Sequence, residues 1–368
     1  MATFLQSALG EAMSRLKTAD VAGATDAIQR ALVGNALTPL DGSSGHEGKW
    51  IGIDATAPRR LGDVLLALKA HRGRFANPAP TGSDENSPAH CQDRFRSRRF
   101  LDASGSLNYK LYVPVDHAGR KLALVVMLHG CTQDPDDFAR GTRMNALAEE
   151  FGLIVAYPHQ PHTANAQGCW NWFDTRHQER GRGEPALLAG LAQALAAEFN
   201  IDSDRVFVAG LSAGGAMADV LSVTHPDVFA AVGVHSGLPH GAATDVMSAF
   251  DAMKGNAKPV ARRNRSRSRK IIFHGSIDTT VAPSNGQMVL EMARSGSPDL
   301  QEVTVETDAG GKRTVRTLLG PAEGRTVAEH WVIMGGGHAW SGGDRSGTYT
   351  DATGPDASRE MIRFFLER

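Results

Sequence analysis

Residues 122–128 read Leu-Ala-Leu-Val-Val-Met-Leu, seven apolar positions in a row, and this run constrains the fold more than any other feature. A strand that is apolar at every position has both faces covered, as the inner strands of a parallel sheet do. Short runs of the same kind recur at Leu107–Val113, Leu153–Tyr157, Arg205–Ala209, Ala230–Val234, Lys270–Phe273 and His330–Met334. Between them, Leu187, Leu188, Leu191, Leu195 and Phe199 repeat at helical spacing. Strands alternating with crossover helices predict an α/β fold, a mostly parallel sheet flanked by helices. Val303–Val305 and Val315–Leu319 flank Asp308-Ala-Gly-Gly311, the pattern of a hairpin.

Before about residue 95 the pattern is different. Phe4, Leu5, Ala8, Leu9, Met13 and Leu16 form one helical stripe, and Val21, Ala24, Ile28 and Leu32 a second. Leu61, Val64, Leu65 and Leu68 suggest a short third helix, between stretches rich in Gly, Ser, Pro and Asn that read as linkers. The expected organisation is a helical N-terminal extension over 1–95 and an α/β domain over 96–368. The chain carries 39 Lys and Arg against 40 Asp and Glu, so no strong field draws it to nucleic acid or anionic lipid. The basic run Arg262–Lys270 reads as a solvated loop before a strand. Hydrophobic residues make up 41%, enough for a full core, yet no segment reaches the ~20 apolar residues of a membrane span. Met1–Leu9 lacks the basic start of an export signal, which points to a cytoplasmic address.

Gly210-Leu-Ser212-Ala-Gly214 follows the strand-like Val206–Ala209 and precedes the helix-like Ala213–Leu221. Strand, sharp turn and helix make a nucleophile elbow, with glycines where the turn is tight and the helix close to the strand. Ser212 is the predicted nucleophile, and the N–H of Ala213 at a helix N-terminus can bind an oxyanion.

A serine hydroxyl needs a general base, and the base needs an orienting group. Ile271-Ile-Phe-His-Gly-Ser-Ile-Asp278 places an aspartate just past a buried strand, and Trp331-Val-Ile-Met-Gly-Gly-Gly-His338 places a histidine past the last strand. Both fall at strand C-termini, the edge along which open α/β sheets bind ligands. The order Ser212, Asp278, His338 is that of an α/β-hydrolase triad. His274 reads as a turn residue.

Leu128-His-Gly-Cys-Thr-Gln133 follows the apolar strand, where such a fold takes its second oxyanion donor; Cys131 N–H is the predicted one. Trp172 and Trp340 lie in loops at the same edge and are expected to wall the substrate cleft. A Cys131–Cys169 pairing stays open: both cysteines lie in edge loops, but a reducing cytoplasm disfavours the bond. His159-Gln-Pro-His162 is a poor metal pair because Pro161 interrupts a helical face, and the expected reaction uses no metal or cofactor.

Taken together, Leu128–Gln133, Gly168-Cys-Trp170, Gly210–Gly214, His274–Asp278 and Gly337-His-Ala-Trp340 resemble the esterase family of short-chain polyhydroxyalkanoate depolymerases. The resemblance covers roughly residues 100–368. It implies an α/β-hydrolase acting on ester bonds of poly(3-hydroxybutyrate) or a similar polyester, with the same triad and oxyanion loop. The wider group includes acetyl xylan and feruloyl esterases, and a general short-chain carboxylesterase is a further alternative. The N-terminal extension resembles cytoplasmic members, which implies stored granules as the partner surface. A peptidase of the same fold and a catalytically inactive granule-coating protein are the remaining readings.

Overall fold

Ten strands share one sheet in the computed structural model, which describes residues 94–115, 119–257, 268–295 and 299–367. All described residues belong to one unit, Gly82–Arg368. The N-terminal stripes and residues 262–267 of the basic run lie outside the described residues.

In chain order the strands are β1 (Phe95–Asp102), β2 (Gly105–Tyr112), β3 (Leu122–Leu128), β4 (Leu153–Pro158), β5 (Ile201–Leu211), β6 (Ala231–His235), β7 (Arg269–Gly275), β8 (Gln301–Ala309), β9 (Lys312–Gly320) and β10 (Ala328–Ile333). They stand in the order β1-β2-β4-β3-β5-β6-β7-β10-β9-β8. Strands β4 to β10 in that order run parallel. An antiparallel hairpin closes each side, β1–β2 against β4 and β8–β9 against β10.

The seven α-helices of the described residues are α1 (Pro135–Thr142), α2 (Met144–Phe151), α3 (Gly183–Glu198), α4 (Ala213–Thr224), α5 (Val246–Asp251), α6 (Ser284–Arg294) and α7 (Ala357–Leu366). The apolar run of β3 shows why both faces need cover. Leu122, Leu124, Val126 and Leu128 pack into one core with Leu188, Leu191 and Leu195 of α3 and Met217 and Leu221 of α4. Ala123, Val125 and Met127 pack on the opposite face with Phe138 of α1, Leu147 of α2 and Phe364 and Phe365 of α7. No helix among the described residues is long and apolar enough to cross a membrane.

Each predicted strand is present; β3 keeps the predicted ends Leu122–Leu128, and the others have shifted ends. Strand β1 was not anticipated. Its sequence, Phe-Arg-Ser-Arg-Arg-Phe-Leu-Asp, lies on an open edge and is largely exposed, so no apolar pattern marks it. Helices α1 and α2 also escaped the periodicity reading, because each is only eight residues long. Their start was nevertheless written in the chain: Asp134 caps α1 by accepting Asp137 N–H at 2.8 Å, and Pro135 opens the first turn.

One buried charge pair joins α4 to β7. Lys270 Nζ donates to Asp219 Oδ1 and, at 2.9 Å, to Ser222 Oγ, while Asp219 Oδ2 accepts His240 N–H at 2.8 Å. The two charged side chains are 3% and 0% exposed, so neither has water to fall back on. Replacing Asp219 by Ala strands a buried ammonium, and we expect a loss of about 3–5 kcal/mol in chemical denaturation. Unchanged stability would show that the pair does not join helix to strand.

Candidate active site

Strand β5 ends at Leu211 and α4 begins at Ala213, leaving Ser212 alone on the turn. Its backbone is left-handed in φ, at 56°, with ψ at −118°. A non-glycine residue held this way costs roughly 1–3 kcal/mol and persists only where its surroundings impose it. Those surroundings are two glycines without room for a side chain. A Cβ on Gly214 would lie 2.1 Å from the Leu128 carbonyl oxygen, and one on Gly210 would lie 2.4 Å from the Gly214 carbonyl carbon. Helix α4 thus seats directly on the end of β3, and Ser212 N–H donates to His235 O at 2.9 Å.

Asp278 and His338 come from loops after β7 and β10, which are parallel neighbours. The two loops touch backbone to backbone. Ser276 N–H donates to Ile333 O at 2.9 Å and Ile277 N–H to Gly336 O at 3.0 Å. A Cβ on Gly275 would meet Gly336 O at 2.2 Å, which accounts for glycine on the acid side of this contact. Across it, His338 Nδ1 donates to Asp278 Oδ2 at 2.7 Å. The other carboxylate oxygen accepts the N–H groups of Thr280 and Val281, each at 2.9 Å. His274 Nε2 lies 3.5 Å from Asp278 Oδ2 and donates to Val281 O at 2.9 Å, so it braces the turn as the sequence suggested. Burial alone would push the Asp278 carboxyl up. Hydrogen bonds from His274, His338 and Val281, together with the His338 charge, outweigh it and hold the group well below the usual carboxylate range.

In the loop after β3 the backbone donors on either side of Cys131 are committed. Gly130 N–H donates to Gln133 Oε1 at 2.9 Å and Thr132 N–H to Gln167 O at 2.7 Å. Cys131 N–H, between them, has no acceptor among the described residues. Ala213 is the first residue of α4, so its N–H has no acceptor within the helix. The loop is fixed from several directions. His129 Nδ1 donates to Gly130 O at 2.8 Å and its Nε2 accepts Gln160 N–H at 3.2 Å. Gln133 Nε2 donates to Asp137 Oδ2 and to Thr348 O, both at 3.0 Å. Cys131 and Cys169 are joined by a disulfide, Cα atoms 4.3 Å apart, which settles the pairing left open by the sequence. Below the bridge, Glu184 accepts from Gln160 Nε2 and Asn171 Nδ2, both at 2.6 Å, and burial pushes its carboxyl up.

Two expectations need correction. Trp172 is 5% exposed and stands edge-on to Phe173; Trp340 is 1% exposed, stacks on His235 and donates its indole N–H to Ser358 Oγ at 3.0 Å. Both rings are core, because the loops that carry them fold inward over the sheet edge. Neither walls a cleft. The sequence reading also missed His235. Its carbonyl holds Ser212, its Nε2 accepts Ser341 N–H at 3.0 Å, and its ring packs between Phe273 and Trp340, so it connects the serine turn to the His338 segment. Its place at the end of a buried strand was the available signal. Ser212 Oγ itself has no hydrogen bond among the described residues.

Burial lowers His129 to about 4 and His235 and His330 to about 3, so all three are neutral in the folded protein near neutral pH. In the unfolded chain they titrate near ~6.5. Below that pH the unfolded state binds more protons, so stability rises with pH across this window and falls on acidification from about 6.5 toward 4. Calorimetry should show the melting temperature dropping continuously over that range; a flat profile would contradict neutral burial. The disulfide closes a span of 38 residues, which by chain entropy is worth about 3–4 kcal/mol. Cys169→Ser should lower the denaturation midpoint accordingly and slow hydrolysis of a nitrophenyl ester, since the Cys131 N–H loses its tether. Wild-type rates in that variant would show that the bridge does not position the loop.

Residues 107–298, just over half of the 368, match the family described as Esterase PHB depolymerase. The chain is 34% identical over 227 residues to poly(3-hydroxyalkanoate) depolymerase C of Paucimonas lemoignei, covering 58% of this chain and 54% of that protein. It is 33% identical over 205 residues to acetylxylan esterase A of Talaromyces purpureogenus, covering 50% and 52% respectively. The chain spans about half the length of the curated relatives it matches. The solved structure of an acetyl xylan esterase from Aspergillus awamori superposes with a TM-score of 0.55 at 22% identity, over 73% of this chain and 98% of that one, a likeness of fold. With its elbow, its sheet order and this match in hand, the chain is an α/β-hydrolase and belongs to the Esterase PHB depolymerase family.

Proposed function

We propose that this protein is a serine esterase that opens the ester bonds of poly(3-hydroxybutyrate) or a related short-chain polyester through Ser212, His338 and Asp278. The observation that carries the reading is the 2.7 Å bond from His338 Nδ1 to a buried, ionised Asp278, on the sheet edge that also bears the strained Ser212. With Nδ1–H committed to the carboxylate, Nε2 is left as the basic lone pair.

In the first step Ser212 Oγ bonds to the ester carbonyl carbon and passes its proton to His338 Nε2. The carbonyl π electrons move to oxygen, which accepts hydrogen bonds from Cys131 N–H and Ala213 N–H. The carbon–oxygen bond to the alcohol then breaks, and His338 Nε2–H protonates the departing oxygen. A water molecule repeats the sequence on the acyl-enzyme and frees the 3-hydroxy acid. Asp278 keeps its charge throughout and stabilises the imidazolium. On this reading the Ser212 Oγ to His338 Nε2 hydrogen bond forms only once substrate is bound.

The polyester reading draws on the family match and on the depolymerase relative. A carbohydrate esterase is the second reading, favoured by relatives named acetylxylan esterase at similar identity. A stored granule is the proposed physical form of the substrate. The Cys131–Cys169 bridge suits an oxidising compartment, which pulls against the cytoplasmic address expected from the N-terminal sequence.

Purified protein should clear amorphous polyhydroxybutyrate granules faster than it deacetylates xylan. Ser212→Ala should cut turnover of both, and of 4-nitrophenyl butyrate, by about 10⁴–10⁶-fold while circular dichroism stays unchanged. Retained turnover in a folded Ser212→Ala variant would end the serine mechanism. Faster release of acetate from xylan would move the substrate to the carbohydrate class.

A further inference from the structure

Six non-glycine residues among those described have positive φ: Thr132, Arg143, Asn200, Ser212, Ser236 and Tyr349. Asparagine visits that region readily; a threonine or a tyrosine there is a steric outlier. Thr132 lies in the oxyanion loop, Ser212 is the proposed nucleophile, and Ser236 follows the strand whose last carbonyl holds Ser212. Tyr349, at φ 49°, has no role in the reaction as derived above.

Both flanks of Tyr349 are locked. On one side, Thr348 N–H and Oγ1–H donate to the two oxygens of Asp137, at 3.0 and 2.5 Å, and Gln133 Nε2 donates to Thr348 O. That side belongs to the oxyanion loop. On the other, Thr350 opens a two-residue strand (Thr350–Asp351) paired with Trp340–Ser341, two residues past His338. Tyr349 O itself accepts Trp340 N–H at 2.7 Å. The residue therefore bridges the loop that holds the oxyanion and the segment that carries the base. Its hydroxyl lies 3.3 Å from Thr132 Oγ1, yet 47% of the residue is exposed. The fold holds a bulky aromatic in an unfavourable backbone conformation and does not use it to fill the core.

We propose that the Tyr349 ring is the wall of the acyl-chain site and sets the enzyme's preference for acyl length. The hydroxyl touches the Cys131–Thr132 loop rather than the imidazole that serves the leaving alcohol, which assigns the ring to the acyl side. An exposed, rigidly held ring offers apolar area to a short aliphatic chain at little cost in side-chain freedom. The proposal rests on the Ser212, His338 and Asp278 reading and names the specificity of that same site.

The test measures kcat/KM for 4-nitrophenyl acetate, butyrate, hexanoate and octanoate with the full chain. Tyr349→Asn removes the ring and suits a left-handed backbone; Tyr349→Phe keeps the ring and removes only the hydroxyl. Tyr349→Asn should lose about tenfold more on butyrate and hexanoate than on acetate, the scale on which apolar contacts discriminate. Tyr349→Phe should keep the wild-type order of the four esters. An equal loss on all four in Tyr349→Asn, or no loss, would overturn the proposal by reducing Tyr349 to a structural part. A Tyr349→Phe profile that matches Tyr349→Asn would overturn it too, by assigning the effect to the Thr132 contact. If Tyr349→Asn does not fold, Tyr349→Gly carries the same comparison with no steric penalty on the backbone. Turnover retained by Ser212→Ala would instead strike the underlying mechanism, so the two failures are distinct.

Discussion

Gly214 lies against the carbonyl of Leu128 so closely that a single methyl group would meet that oxygen at 2.1 Å, and the geometry of the site depends on this contact. It places the first turn of α4 on the end of β3. The turn between β5 and α4 is then short enough to force Ser212 into its left-handed conformation. The same approach brings the N–H of Ala213 beside the loop that carries Cys131. One backbone-to-backbone contact thus couples the serine turn to the loop that carries Cys131, about eighty residues away in sequence.

Asp278 and His338 meet by the same device. Gly275 against Gly336 lets two neighbouring loops exchange hydrogen bonds without side chains between them, and the His338–Asp278 bond forms across the seam. Around these contacts the protein places buried polar side chains as struts. His235 joins the serine turn to the His338 segment, and Gln133 joins the loop after β3 to α1 and Thr348. Lys270 and Asp219 join α4 to β7 behind them. Each strut is buried and satisfied, so moving any of these loops breaks a hydrogen bond that water cannot replace.

Strain collects where this frame is tightest. Thr132, Ser212 and Tyr349 all carry positive φ within hydrogen-bonded segments around the elbow and the loop after β3. The disulfide between Cys131 and Cys169 adds a covalent tether to the same loop. Two of the three cysteines are thus bonded to each other at this loop.

Much of this was legible in the chain. Unbroken apolar runs such as Leu122–Leu128 announced a sheet covered on both faces, and glycine-flanked Ser212 after a strand announced the elbow. Asp278 and His338 could be placed because strand ends are readable and a parallel sheet puts them on one edge. Strand β1 was not readable, since an exposed edge needs no apolar pattern, and neither were Trp172 and Trp340, whose loops turn inward. Tyr349 carries no local signature at all, and His235 has only its place at the end of a buried strand. What the sequence determined by itself is the order of strands, turns and chemistry-bearing residues, because hydrophobic periodicity and turn sterics are local. Which loops fold together, which aromatic rings are buried and which cysteines meet was decided only by the tertiary structure, because those contacts join residues tens to hundreds of positions apart and depend on close packing that no local pattern encodes.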